Sequence, residues 1–232
     1  LNILAGPDGA DPLCAHGALK GNPAVVRLDR LRVHSLPDNG RRRVAGDLRM
    51  AQQRAADWLG EQGRGVHTPR LRHLRNSFEI WSALMHEAQP QPFAAQLGQG
   101  RRIPVLRELL KWGAGASVHT LPALVLAAIE SLPLPHARYA KLGRQLREDL
   151  IEAIGDDGVL LFPPYTRAAP RHNWPMATPF DFAYCGIFNV LGFPVTQVPL
   201  GLNRRGLPLG VQVVGTPGND AVTIAVAEAR EK

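Results

Sequence analysis

Three runs decide the fold: Val159-Leu160-Leu161-Phe162-Pro163-Pro164, Val195-Thr196-Gln197-Val198-Pro199-Leu200, and Leu209-Gly210-Val211-Gln212-Val213-Val214-Gly215. The first is continuously apolar and follows a turn, the pattern of a strand buried on both faces. Pro163 and Pro164 cannot donate to a ladder, so they end it at once. The other two runs read as strands joined by Asn203-Arg204-Arg205-Gly206, residue types that suit a tight turn. Strands alternating with helices indicate a layered α/β arrangement, while the tight turn demands one antiparallel hairpin. The expectation is therefore an α/β fold with a mixed central sheet flanked by helices.

Upstream of the buried strand, Leu142, Leu146, Leu150 and Ile154 recur every four residues, which predicts a helix over 136–154 closed by Gly155. Downstream, Pro179 to Asn189 reads as a helix that passes at Gly192-Phe193-Pro194 into the hairpin. A final helix is expected from 219 or 220 to 228. Between Arg101 and Leu134 lies a pair of short apolar helices, with Pro104 and Pro122 in first-turn positions, Thr120 as a cap and Gly113-Ala114-Gly115 as the break. Nearer the N-terminus, Asn76–Met85 and Val44–Leu59 show helical spacing, the latter stopped by Gly60 and Gly63. Val66–Leu71 reads as a short strand. Val25–Val33 alternates apolar and charged residues and reads as a strand with one irregular step. Ala5 to Pro12 is dense in turn formers and reads as a loop.

The chain has 232 residues, 45% of them hydrophobic and 20% charged, which suits a single globular domain over 1–232. Its longest apolar run, Leu121–Leu132, falls short of the ~20 residues of a membrane-spanning helix. Cys14 and Cys185 are the only cysteines and are far apart, so a disulfide scaffold is excluded and a reducing, cytoplasmic setting with unpaired thiols is expected. The start, Leu1-Asn2-Ile3-Leu4, carries no basic leader and reads as a cut end. The whole net charge of +7 resides in residues 27–75, where twelve Arg face five acids. That segment has one aromatic residue that could stack a base, Trp58, and its arginines scatter over several elements; no nucleic-acid partner is expected.

The search for chemistry is largely negative. Gly113-Ala114-Gly115 lacks the third glycine and the lysine of phosphate-binding loops. The eight histidines are scattered, with no metal-ligand spacing, so neither metal nor cofactor is expected. The five serines (35, 77, 82, 117 and 131) include no nucleophile elbow. Cys185 and His172 could form a thiolate pair, but Phe182, Ala183, Tyr184 and Ile187 around the cysteine favour a buried, inert thiol.

Asn189-Val190-Leu191-Gly192-Phe193-Pro194-Val195-Thr196-Gln197-Val198-Pro199-Leu200-Gly201 and Gly206-Leu207-Pro208-Leu209-Gly210-Val211-Gln212-Val213-Val214-Gly215 resemble the C-terminal part of the amidase signature family. Gly155-Asp156-Asp157-Gly158-Val159, Pro179-Phe180-Asp181-Phe182-Ala183-Tyr184, Pro199–Asn203 and Leu110-Lys111-Trp112 narrow the resemblance to its fatty-acid amide hydrolases of the second type. Leu4-Ala5-Gly6-Pro7-Asp8 resembles the loop that follows the catalytic core. The resemblance implies hydrolysis of hydrophobic or fatty-acid amides through an acyl-serine, using a serine pair and a lysine base that lie upstream of that loop. This sequence has no adjacent serines, and Lys20, Lys111, Lys141 and Lys232 do not stand in the family's lysine context. No catalytic residue is therefore assigned within it, and the chain alone is expected to be inactive; the alternative is a non-catalytic binding fragment. The resemblance further implies that Phe182, Cys185 and Phe188 line the acyl pocket and that 101–134 is a helical cap facing a membrane. Expected partners are a small-molecule amide, the missing N-terminal catalytic part, a membrane surface contacted peripherally, and a second copy in a homodimer.

Overall fold

The computed structural model describes residue 6 and residues 21–88, 91–130, 134–172 and 174–231. Its centre is a five-stranded sheet in the order β2-β1-β3-β5-β4, comprising β1 (Arg32–Ser35), β2 (Val66–His67), β3 (Gly158–Phe162), β4 (Val195–Leu202) and β5 (Pro208–Val214). β2, β1 and β3 run parallel, whereas β5 is antiparallel to both β3 and β4. The mixed sheet expected from the sequence is thus present. Asn203 Oδ1 makes its tight turn by accepting from the Arg205 and Leu207 amides.

Alternation along the strands sorts the core into two layers. On one face Leu160, Phe162 and Val214 pack under α2 (Ser77–Ala88), α6 (His136–Ile154) and α7 (Ala183–Leu191), with Ile80, Leu146, Leu150, Ile154 and Phe188 filling the gap. On the other, Val33, Val159, Leu161, Val211 and Val213 pack under Ala56 and Leu59 of α1 (Gly46–Gln62) and Val226 of α8 (Asp220–Glu231). β3 is buried throughout, as its apolar run requires.

Three expectations need correcting. Val25–Val33 is mostly not strand: successive 3-10 turns occupy Pro23–Val25 and Leu28–Arg30, and the Leu31 amide bonds to Leu28 O instead of to a ladder. α1 runs through Gly60 to Gln62, and Gly63 closes it by donating to Leu59 O. Only Val66–His67 of the expected 66–71 strand pairs, because Pro69 can donate no ladder hydrogen bond. A short helix that the sequence did not announce, α3 (Phe93–Leu97), gets its cap from elsewhere: the Glu130 carboxylate accepts from the Phe93 and Ala94 amides at 2.9 and 3.4 Å. Cys14 and most of the Ala5–Pro12 loop lie outside the described residues.

Glu130 ends α5 (Leu121–Glu130), which packs on α3 and on α4 (Val105–Gly113). No residue of these three helices belongs to either core layer under the sheet. They stack on one another instead, with Leu124 and Ala127 buried and Leu106 and Leu110 exposed by 75% and 71%.

Gly158 starts β3 directly after α6, and a Cβ there would lie 2.0 Å from the Ile154 carbonyl oxygen. Gly158→Ala is expected to destabilise the chain by about 3 kcal/mol or more, since backbone must move. Gly113→Ala, with open space around the added methyl, should stay within about 1 kcal/mol of the parent. Urea titrations followed by circular dichroism check both.

Candidate functional site

Because β1 and β3 are parallel, their C-terminal ends face the same way, and the loops that leave them meet there. In open α/β sheets this is where ligands settle. Both loops must leave the sheet with their carbonyls satisfied, and two buried glutamines do this. Gln212 of β5 donates to Pro163 O at 2.9 Å and to Tyr184 O at 3.1 Å, tying the end of β3 to α7. On the opposite face Gln52 of α1 donates to Leu36 O at 2.9 Å and Leu161 O at 3.1 Å.

Above this floor a polar network fixes the two loops to each other. The Asp181 side chain is fully buried. One of its oxygens accepts from Thr166 Oγ1 at 2.6 Å, the other from Arg42 at 3.1 Å. Tyr184 donates to Arg42 O and accepts from the Asn39 amide. Burial pushes its phenol well above the ordinary tyrosine range, so it stays a neutral donor. Asp181 and Tyr184 are committed to holding the loops and are not free for proton transfer.

Beside the network stands an aromatic wall. Phe182 meets Trp81 edge-on at 4.7 Å between centroids, and Phe78 lies 4.4 Å from Phe180, which is 45% exposed. Phe78 and Phe180 share a cavity of about 230 Å³ there with Arg41, Arg42, Arg75 and Glu79.

The three residues read from sequence as pocket-lining take different positions. Phe182 belongs to the aromatic wall. Phe188 is fully buried and packs edge-on against Phe162 at 5.3 Å, inside the core. Cys185 is exposed as a residue, while its Sγ is tucked against the loop and donates to Pro164 O at 3.0 Å. His172 is not its partner; it lines a separate surface cleft with Trp174 and Arg205. Three-residue steps on a helix fall ~60° short of a full turn, so positions i, i+3 and i+6 fan out from wall to core. Sequence reasoning missed Arg42, Thr166, Asp181, Tyr184 and Gln212 as the scaffold; the one available signal was Asp181, an acid between two phenylalanines.

Over 82% of this chain and 38% of its own length, human fatty-acid amide hydrolase 2 is 42% identical to it. Fatty-acid amide hydrolase 2-A of Danio rerio is 38% identical over the full chain and 44% of its own length. The chain carries a C-terminal amidase-signature region. It spans less than half the length of these curated relatives. Among solved structures, a bacterial aryl acylamidase of the amidase signature family shares the fold with a TM-score of 0.66 at 17% identity, over 99% of this chain and 49% of its own. A 6-aminohexanoate cyclic dimer hydrolase matches with a TM-score of 0.63 at 20% identity, over 96% of this chain and 49% of its own. No protein-family model matches the chain.

Asp181→Ala removes the acceptor of both Thr166 and Arg42 and should destabilise the amidase-signature region by about 2–3 kcal/mol. Arg42→Ala should cost less, since that side chain is half exposed; chemical denaturation of the two variants separates these effects. Burial also raises the Cys185 thiol above its ordinary range. Its alkylation rate should therefore climb with pH to a midpoint above the ~8.5 of an unperturbed cysteine, read by iodoacetamide labelling and mass spectrometry.

Proposed function

We propose that this chain is the substrate-side, C-terminal portion of an amidase that cleaves hydrophobic or fatty-acid amides. The bond broken is the carboxamide C–N bond. A serine outside this sequence would take the acyl group, the amine would leave carrying a proton, and water would then hydrolyse the acyl-serine. The reading rests on the 42% identity to human fatty-acid amide hydrolase 2 across most of this chain. The aromatic wall beside the strand ends supports it: Phe78, Trp81, Phe180 and Phe182 offer an apolar surface to an acyl chain. The five serines of this sequence include no adjacent pair. This favours a second reading of the isolated chain, as a binding fragment without activity of its own.

A serine-directed fluorophosphonate tests the assignment. The 232-residue chain should remain unlabelled and inactive on a fluorogenic amide, whereas the longer protein should be labelled stoichiometrically outside this sequence. Labelling of Ser117 or another serine here would overturn it. In the longer protein, Cys185→Trp should block long acyl amides and spare short ones; equal loss on both would remove Cys185 from the acyl pocket.

The α4–α5 pair, within residues 101–134, is the lipid-access cap of this reading. α4 turns Glu108 inward to Lys111 and Ser117 at 2.6 and 2.9 Å and leaves Leu106 and Leu110 exposed on a helix that also exposes Arg107. No helix among the described residues is long and apolar enough to cross a membrane, so contact would lie in the interface plane. Binding to vesicles containing phosphatidylserine should fall when Leu106 and Leu110 are both changed to Ser. Unchanged co-sedimentation would exclude the cap.

A further inference from the structure

One row of the sheet changes character as it approaches the β2 edge. On the face under α6, Val195, Val214 and Leu160 are cross-strand neighbours, and the row continues through His34 to His67. The first three belong to the apolar core or pack against it. His34 occupies a position that the packing of this face would fill with another aliphatic residue. It is only 8% exposed, its ring lies 5.8 Å from that of His67, and neither of its ring nitrogens has a hydrogen-bond partner among the described residues. A buried imidazole without a partner is costly, and this one lines a cleft of about 630 Å³, within the range of small-molecule sites.

The rest of the cleft is lined asymmetrically. After β2 stand Arg70 and, opening the 3-10 turn Arg72–Asn76, Arg72 and His73; no ion pair engages either arginine among the described residues. Arg32, also at the rim, is already committed to Asp157. The facing wall, on α6, presents Asp149 and Glu152. Burial, then the nearby His67 and Arg32, holds His34 below the ordinary imidazole range, so it offers one donor and one acceptor at neutral pH.

We propose that this cleft binds a phosphate group carried on a small hydroxylated ester, with Arg70 and Arg72 on the phosphate oxygens and His34 hydrogen-bonded to it. Two free guanidinium groups match a dianion with several acceptor oxygens better than a single carboxylate. The neutral His34 ring can donate its N–H to a phosphate oxygen and accept from a hydroxyl of the ligand at its other nitrogen. The acidic wall excludes a second anionic centre and accepts from hydroxyl groups. The site is separate from the strand-end cavity and does not depend on the amidase reading.

The test uses the chain as it stands, with histidine Hε1 resonances followed by NMR and His34 assigned by its loss in His34→Gln. Glycerol 3-phosphate and inorganic phosphate should each shift the His34 and His67 signals saturably, whereas acetate, and chloride at matched ionic strength, should not. Tighter binding of glycerol 3-phosphate identifies an ester as the ligand; equal binding identifies free phosphate. The double variant Arg70→Ala/Arg72→Ala, altered only at exposed positions, should fold normally and weaken binding by roughly tenfold or more. Shifts that chloride or acetate reproduces, or that survive loss of both arginines, would overturn the site.

Discussion

The structure depends on how β3 ends. A strand buried on both faces must hand its last carbonyls to donors that are also buried, because no water reaches them. Pro163 and Pro164 stop the ladder, and the side chain of Gln212, placed one strand away by the antiparallel pairing of Phe162 with Gln212, takes over the Pro163 carbonyl. The second hydrogen of the same amide holds Tyr184 O. The end of the central strand, the hairpin and the start of α7 are therefore fixed by one side chain. Gln52 does the corresponding work from the opposite face.

With that floor in place, the polar groups above it serve position. Asp181, Thr166, Arg42, Tyr184 and Asn39 satisfy one another across loops more than a hundred residues apart in sequence. Beside them stand the aromatic side chains of Phe78 and Phe180, with Arg41, Arg75 and Glu79 sharing their cavity. The division suits the substrate-side role proposed above, with polar anchoring behind an aromatic wall. The α3–α5 unit is built on different terms. It buries Leu124 and Ala127 within itself, buries Glu108 among polar partners and leaves leucines outside, the reverse of an ordinary surface helix.

Periodicity and turn chemistry were enough to read the long elements. The i+4 leucines of α6, the Gly155 stop, the apolar β3 and the Asn203–Gly206 hairpin all depend on local preferences that neighbours reinforce. Reading failed where a local signal was weak or outvoted. In 25–33 an alternating pattern lost to consecutive 3-10 turns, and α3 owes its start to a carboxylate on α5 rather than to a cap of its own. The family resemblance, carried by the runs around Asn189–Gly201 and Gly206–Gly215, was legible because those residues serve backbone geometry that tolerates few substitutes.

By itself, then, the sequence determined the α/β class, the mixed sheet, most of the helices to within a few residues, and the amidase-signature region. Only the tertiary structure decided which side chains share a site. Phe182, Cys185 and Phe188 look equivalent at three-residue spacing, yet helical rotation sends one to the aromatic wall, one to the loop and one to the core. His34 and His67 look unrelated in sequence, yet parallel pairing of β1 with the edge strand β2 sets their rings side by side. Strand register and helix rotation are set by burying the whole apolar face at once, and no short stretch of chain contains that constraint.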